Sequence, residues 1–348
     1  MNFRRVLVTA GIALLATLPV RGQAQKQRVI IDTDPGTDDA LAILLALNSP
    51  ELQVEALTVV PGNVVAKQGL ENALKLVSLA GRCDIPVAGG AHQPLMQKTY
   101  TALYWHGKNG LADIELPAPK CKADARFGPD LIIELVHKYP HEITLIPVGP
   151  LTNIALAVSK DASIVGLVKN IVIMGGSLNG GNVNGAAEAN IFGDPEAAQI
   201  VFNADWMVTM VGSDVGERTL IERNHLAQLE AGHGPENDVA SKIVRFYIER
   251  SEKNGWDGAA MYDPLAVGVV IDPTLVKTKD MHVDVETRGE FTRGETVANR
   301  MGSYENNVLH GDHYEIDGVV PVQNNARVCL SSDAERFIQM FISRVKDK

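Results

Sequence analysis

Four aspartates fall close together near the start of the chain: Asp32, Asp34, Asp38 and Asp39, within Val29-Ile30-Ile31-Asp32-Thr33-Asp34-Pro35-Gly36-Thr37-Asp38-Asp39-Ala40. Carboxylates at this density raise one another's pKa and are costly to pack unless something neutralises them. Capping a helix takes one carboxylate, not four, although one or two of these could serve only that end. Oxygen donors with no thiolate beside them suit a hard divalent cation, Ca²⁺ or Mg²⁺, better than zinc. The chemistry indicated is cation binding at a sharp corner of the chain.

The elements around the corner follow from residue type. Val29 to Ile31 are β-branched and apolar, as in a strand buried on both faces. Pro35-Gly36 is a turn signal. Thr37 is the expected cap of a helix that runs apolar from Ala40 to Leu47 and stops at Asn48-Ser49-Pro50. Asp38 and Asp39 then sit in its first turn, where the helix dipole favours negative charge. In open α/β sheets, ligands bind at such corners, at the carboxyl ends of strands. Two other Asp-rich patterns fail on detail. A phosphatase of the haloacid-dehalogenase type, D-x-D-x-T/V, would need Thr or Val where Gly36 stands. An EF-hand would need Asp or Asn there, and a helix before it.

Beyond the corner, strand and helix patterns alternate. Strands are expected at 54–60, 85–88, 143–148, 171–174 and 207–211, and helices at 70–80, 131–139, 154–159, 257–271 and 336–345. Asp194-Pro195 is a helix start, and Ser332-Asp333-Ala334-Glu335 resembles a capping box. This rhythm implies a single α/β domain over 25–348, with a mostly parallel central sheet and helices on both faces. The strand ends carry Asp34, Asn63, Val148-Gly149 and Met174-Gly175-Gly176, which would share one edge. The Gly- and Asn-rich stretch 175–185 reads as a loop over that edge.

The chain has 348 residues, 45% hydrophobic and 21% charged, with net charge −10 and no basic run, which argues against nucleic acid as a partner. Arg4-Arg5, an apolar run over 6–20 and Gly22-Gln23-Ala24 form a signal-peptide pattern over 1–24. Export to a periplasmic or extracellular space is expected, with no membrane contact after cleavage; an uncleaved anchor is the alternative. Cys83, Cys121 and Cys329 lack metal-binding spacing. A Cys83–Cys121 bridge is open to an oxidising compartment, but spacing alone does not fix its geometry.

The opening motif resembles the D-x-D-P-G-x-D-D-A signature of the nucleoside hydrolase family, inosine–uridine-preferring type. Val60-Pro61-Gly62-Asn63, Val148-Gly149-Pro150-Leu151-Thr152-Asn153, Met174-Gly175-Gly176 with Ala187-Glu188-Ala189-Asn190, Asp194-Pro195-Glu196-Ala197-Ala198 and Asp263-Pro264 match its later motifs in order. The resemblance spans about 28–345. It implies Ca²⁺-dependent hydrolysis of the N-glycosidic bond of a small ribonucleoside, purine or pyrimidine, and a homo-oligomer, dimer or tetramer. It also implies Asp34, Asp39, the Val148 carbonyl and Asp263 as metal ligands, with Asp34 as general base towards the attacking water. Asp38 would hold the 2′-hydroxyl, Asn190 and Asp263 the 3′ side, and Asn182 and Glu188 the 5′-hydroxyl. Met174 would lie beneath the sugar, with Asn63 beside it and Asp34.

Each residue also has a plainer reading: a polar loop for Asn182, Glu188 and Asn190, a helix cap for Asp263, core for Met174, and an orienting group for Asp32. One position departs from the pattern. Many members have His before the last Asp, proposed to protonate the leaving base, and here it is Tyr262. His106 is the better acid candidate by type, or else a surface histidine. Trp105 and Trp256 are expected to border the base, where they could stack on it, or to pack in the core. The alternatives kept are a modified nucleoside or other N-riboside as substrate, and a Ca²⁺-dependent ribose or nucleoside binding protein without turnover.

Overall fold

The computed structural model describes residues 26–299 and 323–348. The expected signal segment, 1–24, lies outside them. The strands are β1 (Gln27–Thr33), β2 (Leu52–Val59), β3 (Val87–Gly89), β4 (Ile143–Pro147), β5 (Asn170–Met174), β6 (Val208–Val211), β7 (Leu220–Ile221), β8 (Ala259–Ala260), β9 (Val276–Met281), β10 (Val283–Val285), β11 (Thr296–Ala298) and β12 (Ala326–Ser332). The main sheet has eight strands in the order β3-β2-β1-β4-β5-β6-β12-β9. Every neighbouring pair in it is parallel except β12 with β9. The exposed edge strand β9 carries Lys277 and Lys279, which discourage edge-to-edge pairing. The expected α/β sheet is therefore present.

The order of the strands positions the site. From β1 the chain winds outward through β2 to β3, then returns to lay β4 on the other side of β1. The connections after β1 and β4 thus diverge and leave a crevice between the two carboxyl ends, the switch point at which open sheets bind ligands. Asp32 of β1 lies opposite Pro147 of β4, and the Val148 N–H donates to the Asp32 carbonyl at 2.8 Å. Of the residues just past these two strands, Val148 lines the crevice and Asp34 is buried behind it.

Helices cover both faces. The helices Thr37–Leu47, Pro235–Lys253, Tyr262–Ile271 and Ala334–Val345 pack on one, and Gly128–Lys138, Thr152–Lys160 and Pro195–Phe202 on the other. Thr37–Leu47 and Tyr262–Ile271 lie side by side and are apolar nearly all round, as helices enclosed by a second layer must be. Among the described residues no helix is long and apolar enough to cross a membrane.

Several local expectations change. Thr37 is the first helical residue, and Gly36 occupies the cap position; its N–H donates to the Asp39 carboxylate at 2.9 Å. The helix expected over 257–271 begins at Tyr262, because Ala259–Ala260 pairs antiparallel with β7. Asp263 falls inside the first turn and does not cap it. The last helix is capped by Asp333, not Ser332. Asp194 caps Pro195–Phe202 as expected, and its other oxygen holds Leu95 N–H and the Thr152 hydroxyl. Cys83 and Cys121 are joined, and Cys329 is buried and free.

Candidate active site

A cavity of about 430 Å³ opens at the switch point. Its floor comes from four strand ends and two helix starts. Asp38 and Asp39 stand on the first turn of Thr37–Leu47, and Asp263 on the first turn of the adjacent helix. Carboxylate oxygens of Asp38, Asp39 and Asp263 lie within 4.8 Å of one another, all buried. Asp34 adjoins them, close enough to repel Asp39 and Asp263.

Each carboxylate has a defined degree of commitment. Asp39 Oδ1 accepts from the Thr33 hydroxyl (2.5 Å) and Asp34 N–H (3.2 Å), and Oδ2 from Gly36 N–H and the Asn63 side-chain amide, both at 2.9 Å. Asp34 Oδ2 accepts from Asn63 N–H at 2.6 Å. Asp34 Oδ1 and Asp38 Oδ1 are buried and accept no hydrogen bond. A Cβ on Gly62 would collide with Asp34 Oδ2, and one on Gly149 would stand 2.6 Å from its Oδ1. Those two motif glycines are the space that Asp34 occupies.

Burial, reinforced by like charge, pushes Asp34, Asp38 and Asp263 well above the usual carboxylate range. The cluster of Asp38, Asp39 and Asp263, with the donor-less oxygens Asp38 Oδ1 within it and Asp34 Oδ1 nearby, fits a divalent cation that would restore the ionised forms. Asp32 points elsewhere: its Oδ1 accepts from Thr58 (2.6 Å) and Asn153 (2.8 Å), and burial lifts its pKa to about 7. It ties β1 to β2 and to the helix Thr152–Lys160.

The cavity brings together most of the residues expected from sequence. Asp38, Asn63, Trp105, His106, Val148, Met174, Asn182, Glu188, Asn190, Trp256, Tyr262 and Asp263 all line it, with Asp34 and Asp39 behind. Asn190 donates its amide to the carbonyls of Val148 (2.9 Å) and Met174 (3.0 Å), which turns its oxygen acceptor free for a ligand. Glu188 caps the short helix Ala189–Gly193: its oxygens accept from Asn190, Ile191 and Gly176 N–H, and burial raises its pKa to about 7. Asn182 accepts from Ala189 N–H at 2.9 Å and hydrogen-bonds Tyr262.

His106, on the one-turn helix Leu103–His106, is buried against Thr37. Its Nδ1 accepts Thr37 N–H at 3.1 Å, so the ring proton resides on Nε2, and burial pushes the pKa down to about 3. Burial pushes the Tyr262 phenol up. Both are therefore neutral donors at physiological pH. Trp105 is half-buried and Trp256 is 42% exposed at the mouth.

The wall also contains Tyr247 and Ser251 from Pro235–Lys253, Asn254 just past its end, and Glu217 after β6. Sequence reasoning missed them because it missed that helix. Its signal was available in Gly234-Pro235 followed by apolar residues at Val239, Ile243, Val244 and Tyr247, with Ser251 one turn on.

A carboxylate cluster that could hold a cation thus lies under the cavity at the switch point of an open, mostly parallel sheet. The chain belongs to the family described as inosine–uridine preferring nucleoside hydrolase, whose sequence profile matches residues 29–339. It is 36% identical over 319 residues to a pyrimidine-specific ribonucleoside hydrolase of Enterobacter sp., covering 91% of this chain and 97% of that one. It is 41% identical over 275 residues to the inosine–uridine preferring nucleoside hydrolase of Crithidia fasciculata, covering 78% and 87%. Among solved structures, a plant nucleoside hydrolase superposes with a TM-score of 0.84 at 35% identity, over 93% of this chain and 100% of that one. A purine-preferring ribonucleoside hydrolase from Gardnerella vaginalis gives 0.81 at 34%, over 92% and 98%. The relatives' names divide between purine and pyrimidine.

Proposed function

We propose that this enzyme hydrolyses the N-glycosidic bond of ribonucleosides to ribose and free base, with Ca²⁺ held by Asp34, Asp39, Asp263 and the Val148 carbonyl. The observation that carries the cation is the pair of buried acceptors without donors, Asp34 Oδ1 and Asp38 Oδ1, beside the clustered carboxylates. Seven or eight oxygen donors, part protein and part ligand, suit Ca²⁺. When bound, the cation lowers the pKa of a water and anchors sugar hydroxyls.

The residues divide the remaining work. Asp34 Oδ1 takes the proton of the attacking water, whose oxygen bonds to C1′ as the C1′–N bond breaks and its electron pair leaves with the base. Asp38 and Asn190 accept from the 2′- and 3′-hydroxyls, and Asn182 and Glu188 stand at the 5′ end. Carboxylates around the ring stabilise positive charge developing on the ribosyl group. His106 Nε2–H and the Tyr262 hydroxyl are donors towards the leaving base, with Trp105 and Trp256 as its flanking faces.

Export is the cellular reading, supported by the pattern over 1–24 and by the Cys83–Cys121 bridge, since structural disulfides persist in oxidising compartments. Assembly as a dimer or tetramer rests on the family resemblance. The deciding experiment is ribose release from inosine, adenosine, guanosine, uridine and cytidine, with and without a calcium chelator. Release lost on chelation and restored by Ca²⁺ is expected. Binding of nucleosides without any release would replace the hydrolase with a binding protein.

A further inference from the structure

Four acidic side chains line the cavity: Asp38, Glu188, Glu217 and Asp263. Asp38 and Asp263 belong to the carboxylate floor, and Glu188 commits both oxygens to backbone N–H groups. Glu217 does neither. It ends the short helix Ser213–Gly216, is half-buried, and its carboxylate accepts no hydrogen bond from any described residue. A half-buried carboxylate on a cavity wall with no protein donor can accept one from a ligand in place of water.

Its neighbours place it beside Tyr262, proposed as a donor towards the leaving base. Gly216, next to it, supports the Tyr262 ring directly: a Cβ at Gly216 would collide with that ring. Glu217 is also the largest charge influence on the Tyr262 phenol, ahead of Asp38 and Glu188. Trp256, Gly258 and Ala260 line the same cavity. Burial and the nearby Asp214 disfavour its charged form, Arg218 beside it favours that form, and a ligand N–H would favour it further.

We infer that Glu217 selects the leaving base, accepting the exocyclic amino group of amino-bearing bases and disfavouring their oxo counterparts. This rests on the ribonucleoside hydrolase reading. An ionised carboxylate accepts and cannot donate. Cytosine offers a 4-amino donor where uracil presents a carbonyl, and guanine carries a 2-amino donor that hypoxanthine lacks. A carbonyl facing Glu217 sets two acceptors against each other, and a base without the amino group leaves the carboxylate unpaired.

The test compares cytidine with uridine, and guanosine with inosine, by kcat/KM in the wild type and in Glu217→Gln, whose amide supplies a donor at the same position. Tryptophan fluorescence titration with the same four nucleosides gives binding ratios independent of turnover. The wild type is expected to prefer the amino member of at least one pair by roughly tenfold, and Glu217→Gln to bring that ratio near unity. Equal ratios in the two proteins, or a wild-type preference for the oxo member of both pairs, overturns the inference. So does a uniform loss on all four substrates, which assigns Glu217 to support of Tyr262. Absence of ribose release from any nucleoside overturns the hydrolase reading instead, and the binding ratios then decide Glu217.

Discussion

Asp34 is enclosed by Gly62, Gly149 and the Asn63 backbone N–H, with one oxygen left without a donor. Asp34→Asn keeps that shape while removing the base. It is expected to lower kcat at least about 10²-fold with no loss of melting temperature when divalent ions are absent, because the buried charge it removes is itself unfavourable. Ribose release and thermal melting on one preparation check both halves, and near-normal turnover would sink the base assignment. Tyr262 makes a second matched set with Gly216, a glycine required by packing and not by its backbone angles. Gly216→Ala is expected to cost about 1–3 kcal/mol through overpacking, and much less in a Tyr262→Ala background. Urea unfolding of the four proteins in that cycle measures the coupling; additive costs would show that the two do not touch.

At the scale of elements, the loop over 175–185 carries Gly181, Asn182 and Val183 onto the cavity and is anchored at its root. Asp214 accepts from Leu178 N–H (2.5 Å), the Asn179 amide (2.8 Å) and the Ser177 hydroxyl (3.1 Å). Thr296 of β11 donates to the Ser177 carbonyl and accepts its N–H. Asp214→Ala is expected to raise KM about tenfold and to speed proteolysis within the loop, while the melting temperature stays close to wild type. Unchanged KM with the loop cleaved would separate it from substrate binding. The strand, turn and helix around Asp34 were legible because buried apolar runs and turn residues report local structure directly. Pro235–Lys253 was overlooked because its outer face is polar, although its inner face has helical spacing. Ala259–Ala260 read as helix because a two-residue strand is dictated by its partner β7, which local sequence does not contain. Glu217 sits in no motif, and its place on the wall follows only from the fold.

The whole molecule brings its acid cluster together from distant parts of the chain, so cation binding and folding are linked. Ca²⁺ at a hundredfold excess over its Kd should stabilise the protein by about 2.7 kcal/mol, seen as a raised melting temperature. The shift should vanish in Asp39→Asn and Asp263→Asn. A wild-type melting curve indifferent to Ca²⁺ and to chelator would place the cation elsewhere or nowhere. The ordered strand ends make the cleft readable in the sequence, whereas the sheet order, and with it the crevice between β1 and β4, depends on pairings remote in sequence. The Cys83–Cys121 bridge adds an asymmetry to this cleft. It closes a covalent ring that contains Trp105 and His106 and none of the four aspartates of the floor. Opening it with a reductant should therefore raise KM for nucleosides while the Ca²⁺-induced melting shift persists. The thiol–disulfide state of the surroundings would tune how the enzyme grips a base and leave its hold on the sugar untouched.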